Sequence, residues 1–299
     1  MIILDEHTVP LINEPIRLVD YSIAVFPQLM TKNAVKKALK RKELLLNGEI
    51  ATSGHWMVEG NVIQLIDTES RIPKAFPLKV EVVFEDDYFL VVNKPSGLTV
   101  SGNSFRTLEN AMVDQFILSS QKDALKWAKP VHRLDNATSG LVIMSKTATF
   151  HREMAKLFEN RKVEKTYHAI TTGEWSDEEG VIDSTINQQV AKTRYKILQQ
   201  VPSLRSEFLS FVQLKPQTGR THQLRIHCTF SNHPIAGDVL YGEAGNTLLH
   251  KGLFLAATQL SFIHPILKKD VTIEIAVPHK FFSLLEREER RWIKFKEKD

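Results

Sequence analysis

The residue in this chain best set up to do chemistry is Asp135. It sits in Pro130-Val131-His132-Arg133-Leu134-Asp135-Asn136-Ala137-Thr138-Ser139-Gly140, an acid beside an arginine and followed by a tight Thr-Ser-Gly turn. The turn leads into a short apolar run, Leu141 to Met144. A carboxylate on a loop that feeds straight into a buried strand is held in place, because the strand fixes the loop's exit. Gly140 admits a backbone conformation that a side chain would forbid. A carboxylate held in this way can act as a nucleophile, or stabilise developing positive charge and take a proton. Arg133, two residues earlier, is a partner for a phosphate or a carboxylate. Taken from the spacing alone, an Asp-Arg salt bridge on a surface turn explains the same residues.

The elements around this loop can be read in order. Residues 1–15 mix apolar and polar groups and carry Pro10 and Pro15, so they are an extension of uncertain structure. Residues 16–67 form a small module. Thr31 caps a helix running to Arg41, with Ala34, Val35, Ala38 and Leu39 on one face and Lys32, Lys36 and Lys40 on another. Asn47-Gly48 between two apolar segments is a hairpin signal, since both turn residues need positive φ. Val62 to Ile66 closes the module as a strand, and residues 68–77, charged and broken by Pro73 and Pro77, are a linker.

Residues 78–299 form the larger domain. Alternation at Leu78, Val80, Val82 and Phe84, then Tyr88 to Val92, gives two strands joined at Asp86-Asp87. Helices are expected from Leu108 to Phe116 and from Thr147 to Asn160, and a strand from Lys165 to Ile170. In that strand Tyr167 reads as a core residue with its hydroxyl at an edge. Antiparallel strands are expected around Tyr195–Leu198 and Phe208–Leu214. Thr221 caps a helix that carries Arg225 one turn in, where it either pairs with a carboxylate or lies on the surface. Strands Leu253–Phe262 and Val271–Val277 and a charged helix from His279 to Lys296 end the chain.

With 299 residues the chain has room for two domains. A net charge of +4 permits an acidic partner such as RNA without requiring one. Cys228 is the only cysteine, which excludes an internal disulfide and suits a reducing cytoplasm. No signal-like segment or membrane-length apolar run is visible, so no membrane partner is expected. His222, His227 and His233 cluster near Cys228, but spacings of five and six do not put two ligands on one helical face, and no metal site is expected.

Five motifs, in order, carry a resemblance. They are Asn93-Lys94-Pro95-Ser96-Gly97, His132-Arg133-Leu134-Asp135 with Thr138-Ser139-Gly140, Glu164-Lys165-Thr166-Tyr167, Thr218-Gly219-Arg220-Thr221-His222-Gln223-Leu224-Arg225-Ile226-His227, and His233-Pro234-Ile235-Ala236-Gly237-Asp238. Together they resemble the RluA-type pseudouridine synthases, which isomerise uridine in structured RNA, and the similarity runs from about Val80 to Pro278. Residues 16–67 resemble, more loosely, the RNA-binding module named after ribosomal protein S-four. One departure is Val100-Ser101-Gly102-Asn103, where the family typically has a His-Pro pair.

The resemblance implies an α+β fold, with a mixed, largely antiparallel central sheet, flanking helices and a small N-terminal α/β module. It implies Asp135 as the reacting acid, Tyr167 against the flipped base and Arg225 paired with Asp135. Arg133 would assist flipping, and Arg220 would have a structural or phosphate role. Lys94 would line the cleft wall, and Lys32, Lys36 and Lys40 would contact phosphates, although a basic helix face is by default a solvated one. The reaction imports no group and oxidises nothing, so no cofactor is implied. Ribosomal RNA is preferred over transfer RNA, and a cytoplasmic monomer is expected. A glycoside hydrolase wants a second acid, for which no motif speaks. A noncatalytic RNA binder would not need Asp135, Tyr167 and Arg225 together.

Overall fold

A computed structural model describes residues 2–29, 31–67, 72–242 and 251–297. Its N-terminal part comprises β1 (Ile2–Thr8), β2 (Ile16–Arg17), α1 (Leu18–Val25), α2 (Lys32–Lys40), β3 (Leu44–Leu46), β4 (Glu49–Ile50), β5 (Trp56–Met57) and β6 (Val62–Asp67). The Thr31 side chain accepts from Ala34 N and starts α2, a cap worth about 1 kcal/mol. Val35 and Ala38 of that helix are buried against Leu18, Leu44 and Ile63. Asn47 and Gly48 have φ of 52° and 86°, as the hairpin between β3 and β4 demands.

The first residues are not loose. β1 pairs antiparallel with β6, giving a sheet ordered β1-β6-β3-β4. Helix α1 had no strong pattern in the sequence, because it is short and apolar on several sides. Of the expected linker, residues 68–71 lie outside the described part, and residues 72–77 form no helix or strand.

The larger part comprises β7 (Glu81–Glu85), β8 (Phe89–Lys94), α3 (Leu108–Ala111), β9 (Ala124–Pro130), β10 (Ser139–Thr147), α4 (Ala148–Glu159), β11 (Glu164–Thr172), β12 (Glu179–Ile186), β13 (Gln189–Ser203), β14 (Glu207–Pro216), α5 (Gln223–Phe230), β15 (Leu255–Ile263), β16 (Asp270–Glu274) and α6 (His279–Lys296). The sheet runs β12-β13-β14-β11-β15-β10-β8-β7, with β16 on β15 and β9 on β10. Among the described residues only β10 and β15 pair in parallel. The chain is thus α+β, with a mixed and mostly antiparallel sheet.

The apolar run of β10 is continuous because both faces of the strand are covered. Val142 and Met144 enter one cluster with Leu90, Val92 and Leu108, while Leu141 and Ile143 enter another with Phe89, Phe150 and Met154. Further along the sheet the two faces differ. Ile170 and Phe211 pack beneath Phe281, Leu284 and Leu285 of α6, whereas Ala169, Val212 and Leu214 pack beneath Leu224 and Cys228 of α5. The α5 face carries the loop before β10.

Two local expectations are corrected. The helix expected over Leu108–Phe116 ends at Ala111, and the Gln115 side chain donates to Ala111 O, the carbonyl that a continuing helix would offer to the Gln115 backbone. Thr221 is not the cap of α5. That position is His222, in a left-handed conformation, while the Gln223 side chain accepts from Arg220 N.

Candidate active site

The loop before β10 is fastened at its exit by a glycine. Gly140 has φ 113° and lies opposite Ala257 in the parallel register. A Cβ there would sit 2.1 Å from Ala257 O, so β10 and β15 approach more closely than any side chain permits. At its entry, His132 Nε2 accepts from Ile143 N at 3.0 Å and its ring packs 4.8 Å from Phe158. Burial, helped by the Lys165 charge, pulls His132 down to about 3, so it is a neutral acceptor.

From the side, the Lys-Pro-Ser-Gly loop grips the same segment. Gly97 N donates to Asn136 O at 2.8 Å, and Ser96 Oγ donates to Ala137 O at 2.7 Å. Lys94 was expected to line the cleft wall as a substrate-binding residue, and this is corrected. It is fully buried, and its ammonium donates to Pro95 O, Leu98 O and Asn136 O at 2.9, 2.7 and 3.2 Å. Burial draws it down to about 8, against the pull of the Asp135 charge. An ammonium bonded to three carbonyls costs far less to bury than a bare one, and its task is to tie two loops together.

Asp135 therefore stands on a loop held from three directions, at the wall of a cavity of about 330 Å³. Arg133, Lys165, Tyr167, Arg220, His222 and Arg225 line the same cavity. Arg133 is exposed at its mouth. Burial, then the Asp135 charge, holds the Tyr167 phenol well above its ordinary range, so it keeps its proton. Arg220 Nε donates to Val190 O at 3.3 Å.

Arg225 approaches Asp135, with Nη1 3.8 Å from Oδ2, but its short bonds go elsewhere. Nε and Nη2 both donate to Asp238, each at 2.7 Å. Burial pushes the Asp238 carboxyl up, but the bonds from Arg225 and from the Tyr241 and Leu240 amides outweigh it and hold it below the usual range. Asp238 is the residue that sequence reasoning missed. Its signal was there, an acid after Gly237 inside the segment His233–Asp238. Gly237 lies against Gly252 O, which a Cβ would approach to 2.0 Å, so only glycine fits beside the buried acid.

His222 also reaches the site, with Nε2 3.7 Å from Asp135 Oδ1 and Nδ1 2.9 Å from the Tyr241 hydroxyl. His227 and His233 turn to Thr193 Oγ1 and Thr172 O instead. Cys228 is buried and pushed up to about 12 by desolvation and the Asp238 charge. In the N-terminal part, Lys36 and Lys40 are exposed, whereas Lys32 pairs with Asp20 at 2.7 Å.

Among the described residues no helix is long and apolar enough to cross a membrane. A family model described as RNA pseudouridylate synthase matches residues 88–230. The tRNA pseudouridine synthase C of Vibrio parahaemolyticus is 31% identical over 240 residues, covering 71% of this chain and 96% of its own. The ribosomal large subunit pseudouridine synthase C of Rickettsia bellii is 30% identical over 303 residues, covering 90% of this chain and 98% of its own. The solved structure titled human RNA pseudouridylate synthase domain containing 1 superposes with a TM-score of 0.57 at 26% identity, covering 67% of this chain and 84% of that one.

Proposed function

The chain belongs to the RNA pseudouridylate synthase family, and on that premise we propose that it isomerises specific uridines in structured RNA with Asp135 as the indispensable acid. The reaction breaks the bond from ribose C1′ to N1 of uracil. The freed base turns and C5 joins C1′, while C5 loses a proton and N1 gains one. Nothing is oxidised and no group is imported.

The observation that carries the reading is the state of the Asp135 carboxylate. Arg225 and His222 flank it at 3.8 and 3.7 Å, and no hydrogen bond from a described residue ties up its oxygens. A carboxylate held in one orientation, with its lone pairs free, suits attack on C1′ or stabilisation of an oxocarbenium-like sugar. Arg225 holds this orientation, itself locked by Asp238. Tyr167 packs against the base and, keeping its proton, serves as a donor. A stacked uridine must first leave its helix. Arg133, exposed at the mouth, fills the vacated space or grips phosphate. Arg220 takes a phosphate nearby.

Residues 16–67, with β1 paired onto their sheet, act as an RNA-binding module whose α2 face contributes Lys36 and Lys40 and, less freely, Lys32. Residues 78–299 form the catalytic domain, and the protein works as a cytoplasmic monomer. Ribosomal RNA is the preferred substrate over transfer RNA. The relative named for the large ribosomal subunit supports this by aligning over 90% of the chain, against 71% for the relative named for transfer RNA.

Asp135→Asn tests the central point. It is expected to abolish pseudouridine formation in a single-turnover assay while RNA binding persists. Substantial turnover by the purified variant would remove Asp135 from its role. Mapping pseudouridines in cellular RNA with and without the gene identifies the RNA.

A further inference from the structure

Each oxygen of the Asp135 carboxylate faces a different group. Arg225 Nη1 addresses Oδ2, and His222 Nε2 addresses Oδ1. Orientation by Arg225 alone would leave the carboxylate free to rotate about its own axis. We infer that His222 is a positioning residue, its Nε2–H held toward Asp135 by the Tyr241 hydroxyl so that the carboxylate keeps one rotation in front of the sugar. This rests on the reading of Asp135 as the reacting acid.

The chemistry of the ring fixes the tautomer. An ionised carboxylate only accepts, so an imidazole nitrogen facing it is favourable when it carries the proton. In the neutral ring Nδ1 then accepts, and the group 2.9 Å from it is the Tyr241 hydroxyl, which can donate. Tyr241 is itself held. The Arg225 guanidinium lies 5.0 Å from its ring centroid, its backbone N–H donates to Asp238 Oδ1 at 3.1 Å, and its carbonyl accepts from Thr229 Oγ1 at 3.0 Å. Asp238 thus braces both arms that reach Asp135, one through Arg225 and one through Tyr241 and His222.

The backbone gives a second, independent indication. His222 has φ 56° and ψ 20°, in the left-handed region where a side chain is disfavoured. Glycine would sit there more easily, so the imidazole occupies the position against its backbone preference. The separation matters as well. At 3.7 Å the ring restrains the carboxylate without consuming a lone pair, and it can tighten once substrate fills the cleft.

The test uses variants of the full chain with a common RNA substrate. His222→Gly removes the ring at a site that suits glycine. It is expected to keep or raise Tm, hold RNA affinity within about twofold and slow single-turnover conversion roughly 10- to 100-fold. His222→Gln, with an N–H of similar reach, is expected to recover most of that loss. Tyr241→Phe is expected to cost about fivefold alone and little more in the His222→Gly background, because the hydroxyl acts through the ring. Imidazole 15N NMR of the free protein should find His222 protonated at Nε2, and a mixed tautomer in Tyr241→Phe.

Wild-type conversion by His222→Gly, a Gln variant no better than Gly, or a ring protonated at Nδ1 would each overturn the inference. The parent reading fails separately. A wild-type protein that makes no pseudouridine, yet shows the Nε2–H tautomer and its loss in Tyr241→Phe, would unseat the activity and leave the ring's placement standing.

Discussion

The Asp135 loop and the basic face of α2 both present charge, but they are built in opposite ways. Asp135 is held by Gly140 at its exit, by His132 at its entry and by Lys94, Ser96 and Gly97 from the side. Lys36 and Lys40 stand exposed on a helix whose inner face is fixed by Val35 and Ala38, with Leu39 packed against the same cluster. The first arrangement fixes one group with many constraints, so a change at any one of them is felt at the acid. The second adds up several loosely held charges, so each contributes a small and screened share.

This contrast can be broken in graded steps. Asp135→Asn, described above, should have the largest effect on activity. Gly140→Ala comes next, because its Cβ would meet Ala257 O at 2.1 Å and force β10 from β15. Stability is expected to fall by about 3 kcal/mol or more, read by denaturant unfolding. A loss under 1 kcal/mol would mean that the two strands can part without harm.

Lys94→Met should follow, taking the donor from Pro95 O and from the buried Leu98 O while Asn136 O keeps the Gly97 amide, at a cost of about 1–3 kcal/mol, with a fall in kcat at nearly constant KM. Its pH dependence has a definite sign. The unfolded lysine holds its proton to 10.5 and the buried one only to about 8, so the unfolded state binds more protons between those values. This group's contribution to stability therefore rises as pH climbs from about 8 to 10.5. The Tm of the wild-type protein should gain on that of Lys94→Met across this window, and parallel curves would contradict it.

The smallest effects belong to α2. Replacing Lys36 and Lys40 with Ala should lower the slope of log affinity against log salt by roughly 0.7–0.9 per lysine. Lys32→Ala should add least, since its ammonium already serves Asp20 at 2.7 Å. An unchanged slope in the double variant would return this face to plain solvation.

Legibility in the sequence follows the same division. Local rules sufficed for the Asn47-Gly48 hairpin, the Thr31 cap and the spans of α4 and α6, because each depends on neighbours in the chain. Asp135, Tyr167 and Arg225 were found through motif resemblance and do line one cavity. Lys94 was misjudged and Asp238 overlooked for a common reason. A charged residue is exposed by default, and only the tertiary structure supplies the carbonyls or the guanidinium that let it be buried. The short α3 escaped because Gln115 turns back on its own turn, a choice that helical spacing does not register.

The pairing of Gly140 with Ala257 also governs when the cleft comes into being. The strand that steadies Asp135 from below is made late in the chain, as are the helix with Arg225 and the turn with Asp238. A nascent polypeptide leaving the ribosome would carry the acid long before it carried the partners that aim it, and such distant pairings form slowly. Until then the acid is presented without Arg225 and Asp238, and a C-terminal truncation that removed β15 would take the parallel neighbour from β10, leaving the β8 pairing and the Lys94 loop to hold the acid by themselves.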